Sequence, residues 1–159
     1  PMPRDRHPGA AVIRRARPEE ADALRDLAHR SKAHWPYDAD FLAKVRPLLR
    51  LEPADVARDE VWVLQEPGAV AGWHRVTLHG PRAELEDLWL EPEWIRTGRG
   101  RLLFEHAAGV ARRHGATSLT WDAEPYAEGF YRAMGGVEIG RTPSAVEEGR
   151  TLPRMRVDL

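Results

Sequence analysis

The chain contains no cysteine, which removes disulfide frameworks, thiolate metal sites and thiol nucleophiles together. A cytoplasmic location is the default for such a chain. Long hydrophobic runs are missing as well. No apolar stretch approaches the roughly 20 residues that span a bilayer, which argues against a membrane protein. Neither charge sign dominates, since 24 Lys and Arg face 25 Asp and Glu for a formal net charge of -1. There is no global basic field to neutralise phosphates, and nucleic acid is a poor partner. The 7 histidines are scattered without ligand-like spacing, so no metal is implied.

What is present reads as globular, with 42% hydrophobic and 31% charged residues and 6 tryptophans. A length of 159 residues suits one domain with a genuine core. Pro1 to Gly9 carries basic residues but no apolar segment, so residues 1–10 read as a flexible leader and residues 11–159 as a single domain.

Ala11 to Ala16 predicts a first strand, and Pro18-Glu19-Glu20 supplies a helix start with proline early and acids in the first turn. Ala21, Leu24, Leu27 and Ala28 then recur at helical spacing. An aromatic turn, Ser31 to Tyr37, separates this helix from a second over Phe41, Leu42, Val45, Leu48 and Leu49. After a polar stretch from Glu52 to Asp59, Val61–Gln65 and Val70–Leu78 predict a hairpin across Pro67-Gly68, and Ala83–Leu90 a third strand. The longest helix is expected over Gly98–His114, followed by a strand at Thr117–Trp121 and a short helix at Pro125–Met134. Val137–Ile139 and Arg154–Leu159 complete the strands. The order βααβββ followed by βαβ defines an α/β class, with a mixed sheet and helices on its faces.

Two segments carry chemistry. Gly98-Arg99-Gly100-Arg101 lies between the strand ending at Leu90 and the start of the long helix. Glycines there allow backbone N–H groups to approach an anion, the helix N-terminus adds unsatisfied donors, and Arg96, Arg99 and Arg101 add positive charge. A pyrophosphate suits that place, although solvated arginines on an ordinary connection fit the letters equally. The spacing is neither a dinucleotide fingerprint nor a nucleotide-triphosphatase loop. The second segment is Phe130-Tyr131-Arg132-Ala133-Met134-Gly135-Gly136, which taken alone is a core-packing aromatic pair on a short helix.

Taken together, in order and spacing, the two segments resemble the GNAT superfamily of N-acetyltransferases. The likeness runs from Leu88-Trp89-Leu90-Glu91-Pro92 through Gly98–Leu103 and Ala111-Arg112-Arg113-His114-Gly115 to Phe130-Tyr131. Ser31–Tyr37 and Gly149–Met155 also look like one bacterial branch of it. The resemblance implies a mixed, mainly antiparallel sheet of six to seven strands with helices on both faces. It implies acetyl-CoA as cosubstrate and no metal. Direct acetyl transfer to an amine on a small molecule or peptide would follow, and a homodimer is plausible. Two positions depart from the family pattern: Ile95 stands where Gln or Arg is usual, with Arg96 one place later, and Tyr126 stands where asparagine is frequent.

The roles carried over are these. Leu88, Trp89 and Leu90 would offer strand backbone to the pantetheine arm and a donor to the oxygen that becomes negative. Arg96, Thr97, Gly98, Arg99, Gly100 and Arg101 would hold the pyrophosphate, and Tyr131 would contact the cofactor and protonate the leaving thiolate. Glu84 would serve as base. Glu84, Glu86, Leu88 and Leu90 share strand parity, which points them to one face unless a bulge intervenes. His34, Trp35 and Tyr37, with Asp38 beside them, are the acceptor-pocket candidates. A coenzyme A-binding regulatory domain without transferase activity is the alternative, and a purely structural domain the third.

Overall fold

The computed structural model describes residues 11–159; the leader expected at 1–10 lies outside them. Seven strands form one sheet in the order β1-β2-β3-β4-β5-β7-β6. They are β1 (Val12–Arg15), β2 (Glu60–Glu66), β3 (Ala69–His79), β4 (Arg82–Leu90), β5 (Ser118–Asp122), β6 (Val137–Pro143) and β7 (Thr151–Asp158). Every neighbouring pair is antiparallel except β4 and β5. The mixed, mainly antiparallel α/β sheet expected from the resemblance is the sheet observed.

Among the described residues five α-helices cover it: α1 (Ala21–Ala33), α2 (Ala39–Val45), α3 (Pro53–Arg58), α4 (Arg99–Arg113) and α5 (Glu128–Ala133). Helix α1 lays Ala21, Leu24, Leu27 and Ala28 on Val61, Val63 and Trp73 of the sheet, the stripe that i, i+3, i+4, i+7 spacing requires. The indole of Trp73 donates to the Leu24 carbonyl at 2.8 Å, tying strand to helix at the centre of that face. Helix α4 takes the opposite face, packing Phe104, Ala107, Ala108 and Ala111 against Val76, Ala83, Leu85, Leu119 and Trp121. Small residues on α4 bring its axis close to the sheet.

Three elements differ from the sequence expectation. The polar stretch 52–59 holds α3, whose Pro53 and reciprocal Glu52 and Asp55 cap start a short helix that buries only Val56. The second helix ends at Val45 and tightens into a single 3-10 turn at Arg46–Leu48, where Pro47 interrupts regular helical bonding. Strand β6 extends to Pro143 and β7 starts at Thr151. β6 is an edge strand with little buried on either side, so no alternation marks its length.

One register shift matters for function. In the β3–β4 ladder Arg75 faces Asp87 while Val76 faces Leu85, so Glu86 is an extra residue, a β-bulge. Ala83 and Leu85 pack under α4, and after the bulge so do Leu88 and Leu90. Glu84 therefore shares its face with Asp87 and Trp89, opposite Leu88 and Leu90, which corrects the expected parity.

Candidate active site

β4 and β5 pair only from Arg82–Glu84 to Ser118–Thr120. Beyond that point β4 continues to Leu90 on its β3 side alone, while β5 stays paired with β7 on its other side. The strands part, and 85–90 keeps one backbone edge without a strand partner. A cleft of about 470 Å³ opens there. Leu88, Trp89 and Leu90 form one wall, Phe130, Tyr131 and Met134 of the α5 region another, and Arg96, Gly98, Gly100 and Arg101 close one end. Ser31, Trp35, Glu124 and Tyr126 stand among its remaining lining.

The Gly98 end is shaped for close approach. Arg96 has φ 64° and Gly98 φ 86°, left-handed conformations that turn the chain sharply into α4. At Gly100 an added Cβ would stand 3.2 Å from the Phe130 ring, so the helix start and the aromatic wall are in contact. The first turn of α4 leaves N–H groups without intrahelical acceptors, and the exposed Arg96 and Arg101 side chains line the same end. These features fit a pyrophosphate, and the unpaired strand edge fits an amide-bearing arm.

Arg99 has a different position from its neighbours. Its side chain is 0% exposed and meets the equally buried Glu66 carboxylate at 2.8 Å. Its Nη1 donates to the Thr97 carbonyl at 3.0 Å, and the guanidinium lies over the Trp94 ring at 4.7 Å. Thr97 itself turns its hydroxyl to the Trp94 carbonyl. Neither side chain lines the cleft; both brace the loop from behind.

Tyr131 is buried in the cleft wall, its ring 5.2 Å from Trp121 and 5.1 Å from Phe130. Burial raises its pKa, with Glu124 and Asp87 adding to the shift, so the phenol remains protonated. Glu84 does not line the cleft. Its carboxylate takes both Arg154 nitrogens and the Thr120 hydroxyl. The carboxylate on the same face and within the parted segment 85–90 is Asp87, which does not line the cleft either. Burial pushes its pKa up to about 6, although the Trp89 indole, donating at 2.9 Å, and Arg75 pull the other way.

Of the acceptor candidates, Trp35 lines the cleft, whereas His34 and Tyr37 do not. His34 is exposed and stacks edge-on against Trp35 at 4.9 Å. The Tyr37 hydroxyl donates to Glu124 and receives a bond from Arg150 at 2.7 Å. Sequence reasoning missed Glu124 and Ser31; only the strand preceding Glu124 and its place before Tyr131 signalled it. Among the described residues no helix is long and apolar enough to cross a membrane, and no group of three His, Asp or Glu could hold a metal.

The acetyltransferase (GNAT) family model matches residues 21–135, and the chain belongs to that family. No curated protein matches it by sequence. Among solved structures, it resembles the GCN5-related N-acetyltransferase of Rhodopseudomonas palustris, with 20% identity, 94% of this chain and 96% of that one covered, and a TM-score of 0.77. It also resembles the PaiA N-acetyltransferase of Thermoplasma acidophilum in complex with coenzyme A, at 17% identity, 94% and 99% coverage, and TM-score 0.73. A third is YncA of Salmonella typhimurium with its cofactor acetyl-CoA, at 19% identity, 94% of each chain and TM-score 0.68.

Proposed function

We propose that the protein is an acetyl-CoA-dependent N-acetyltransferase that passes the acetyl group directly to a primary amine. The observation that carries this is the parting of β4 from β5 beside the N-terminus of α4, with Tyr131 in the wall of the gap. Family membership and the coenzyme A complexes of similar structures support it.

The residues divide the work as follows. N–H groups at Gly98–Arg101, with Arg96 and Arg101, hold the pyrophosphate end, and the free edge of Leu88–Leu90 pairs with the arm as an added strand. Acetyl-CoA supplies a thioester carbonyl carbon open to attack. An aliphatic amine with a pKa near roughly 10 is almost wholly protonated at neutral pH, so a base must remove its proton. Neither Glu84 nor Asp87 lines the cleft, so either would act through a water. Asp87 fits better, because it lies in the parted segment 85–90 and a carboxyl with pKa about 6 is ionised at neutral pH yet basic enough to accept a proton. A Leu88–Leu90 N–H stabilises the oxygen that gains charge. Tyr131 stays protonated and faces a thiolate with pKa near roughly 8.5. Full proton transfer is uphill, so its contribution is a hydrogen bond that strengthens as the sulfur becomes negative.

The test is amine-dependent release of free thiol from acetyl-CoA, with Tyr131→Phe alongside. Turnover that is saturable in both substrates and slowed at least tenfold by Tyr131→Phe supports the reading. Binding without turnover on any amine replaces it with a coenzyme A-binding regulatory domain.

A further inference from the structure

The end of the cleft away from Gly98 is built from rings and one carboxylate. Trp35 and Tyr126 both line it and stack on each other, centroids 5.7 Å apart and planes 11° from parallel. Tyr126 is 51% exposed although it belongs to this aromatic cluster. A phenol ring left in water beside an indole is apolar area that a ligand can cover.

Glu124 stands next to this pair and is held by three donors, one of them secured in turn by a fourth residue. Lys32 of α1 and the Tyr37 hydroxyl both bond its carboxylate, the Tyr126 backbone N–H donates to Oε1 at 3.3 Å, and Arg150 secures Tyr37 at 2.7 Å. Arg150 and Lys32 also cover the Tyr37 ring, at 5.0 and 4.8 Å from its centroid. Tyr37 is therefore consumed as a brace, its phenol pKa raised by burial and by Glu124. The clamp leaves Glu124 as a fixed acceptor in the cleft lining, with Lys32 bonded directly to it and Arg150 one hydrogen bond further away, through Tyr37. A second cation on the acceptor would meet those two positive charges.

We propose that the acceptor is a small primary monoamine carried on a flat aromatic body, its nitrogen toward Glu124 and its ring against Trp35 and Tyr126. This rests on the acetyltransferase reading above and names its substrate class. Trp35 and Tyr126 are the selectivity residues, and Lys32, Tyr37 and Arg150 are positioning residues that act through Glu124.

The experiment compares kcat/KM for thiol release with 2-phenylethylamine, n-hexylamine, spermidine and a lysine-containing peptide, in the parent and in Tyr126→Ala and Tyr126→Phe. The parent is expected to prefer phenylethylamine over hexylamine about tenfold, the scale of a ring–ring contact beyond area burial, with spermidine and the peptide poorer still. Tyr126→Ala removes that preference through KM, and Tyr126→Phe restores it because the ring returns. Acetyl-CoA affinity, measured by titration, stays within about twofold, since an exposed side chain beyond the pyrophosphate end is changed. Equal or better turnover with hexylamine, spermidine or the peptide overturns the proposal while leaving the transferase reading intact, as does a preference that survives Tyr126→Ala. No transfer to any amine overturns both.

Discussion

Replacing Glu66 by Ala tests how the pyrophosphate loop keeps its shape. Glu66 closes β2 and is 2% exposed in its side chain, against 0% for Arg99. The substitution removes the carboxylate that faces a fully buried guanidinium. Breaking a buried pair from one side costs about 3–5 kcal/mol, whereas replacing both partners with apolar groups of similar volume is often neutral. For a chain of this size each kcal/mol moves Tm by about 2–4 °C, so Glu66→Ala is expected to lower Tm by about 6–20 °C. The double variant Glu66→Leu with Arg99→Met should recover most of that loss. Affinity for acetyl-CoA should not recover with it, because Arg99 also holds the Thr97 carbonyl and covers Trp94, and without it the turn at Arg96 and Gly98 loses its brace. The double variant should bind about tenfold more weakly, equivalent to about 1.4 kcal/mol. Thermal and urea unfolding with titration calorimetry on the same samples read both quantities. A Glu66→Ala protein within about 1 kcal/mol of the parent, or a double variant with full affinity, would refute the reasoning.

Further predictions follow from the same structure. Asp87→Asn should lower kcat by about 10²–10⁴, and the parent kcat/KM should fall tenfold per pH unit below about 6, where Asp87 takes up its proton. Because its folded pKa lies above the ordinary 3.8, ionised Asp87 opposes folding above pH 6, so Asp87→Asn should also raise stability at pH 7.5, read from the urea midpoint. His74 is fully buried, within 2.9 Å of His106, and burial lowers its pKa to about 3. Its neutral form supports the fold above pH 6.5, and that support is lost as pH falls toward 3, by about 1.4 kcal/mol per unit. The stability difference between parent and His74→Gln should therefore shrink on acidification between those values. At Gly72 an added methyl would stand 2.4 Å from the Trp89 carbonyl oxygen and 2.7 Å from Leu90 Cδ2. Gly72→Ala should then cost about 1–3 kcal/mol and weaken acetyl-CoA binding, since Trp89 and Leu90 line the cleft.

How much of this was legible in the residues varies with the kind of signal. The long helix at 98–114 and the hairpin around Pro67-Gly68 announced themselves through period and turn chemistry, and they appear as α4 and the β2–β3 pair. The glycine loop was readable because glycine at a strand-to-helix junction has a conformational meaning, and Gly98 has the positive φ that goes with it. Glu84 illustrates the limit. Strand parity placed it with Leu88, but a single extra residue at Glu86 reverses the faces, and nothing local marks a bulge whose cause is pairing with β3. Arg99 reads as another cation for the cofactor, and its inward turn depends on Glu66, a partner distant in sequence. The clamp on Glu124 joins residues 32, 37, 124 and 150, contacts set by topology rather than by any window of sequence. Edge strand β6 lacked alternation because it has little to bury.

The central claim is that the gap between β4 and β5, capped by the α4 N-terminus, is an acetyl-CoA site. Titration calorimetry of the full chain with acetyl-CoA, and in parallel with acetyl-pantetheine, tests it most directly. The account predicts saturable one-site binding of acetyl-CoA and at least about tenfold weaker binding of acetyl-pantetheine, which lacks the pyrophosphate that Gly98–Arg101 would hold. No binding of acetyl-CoA, or equal affinity for the two, would contradict it.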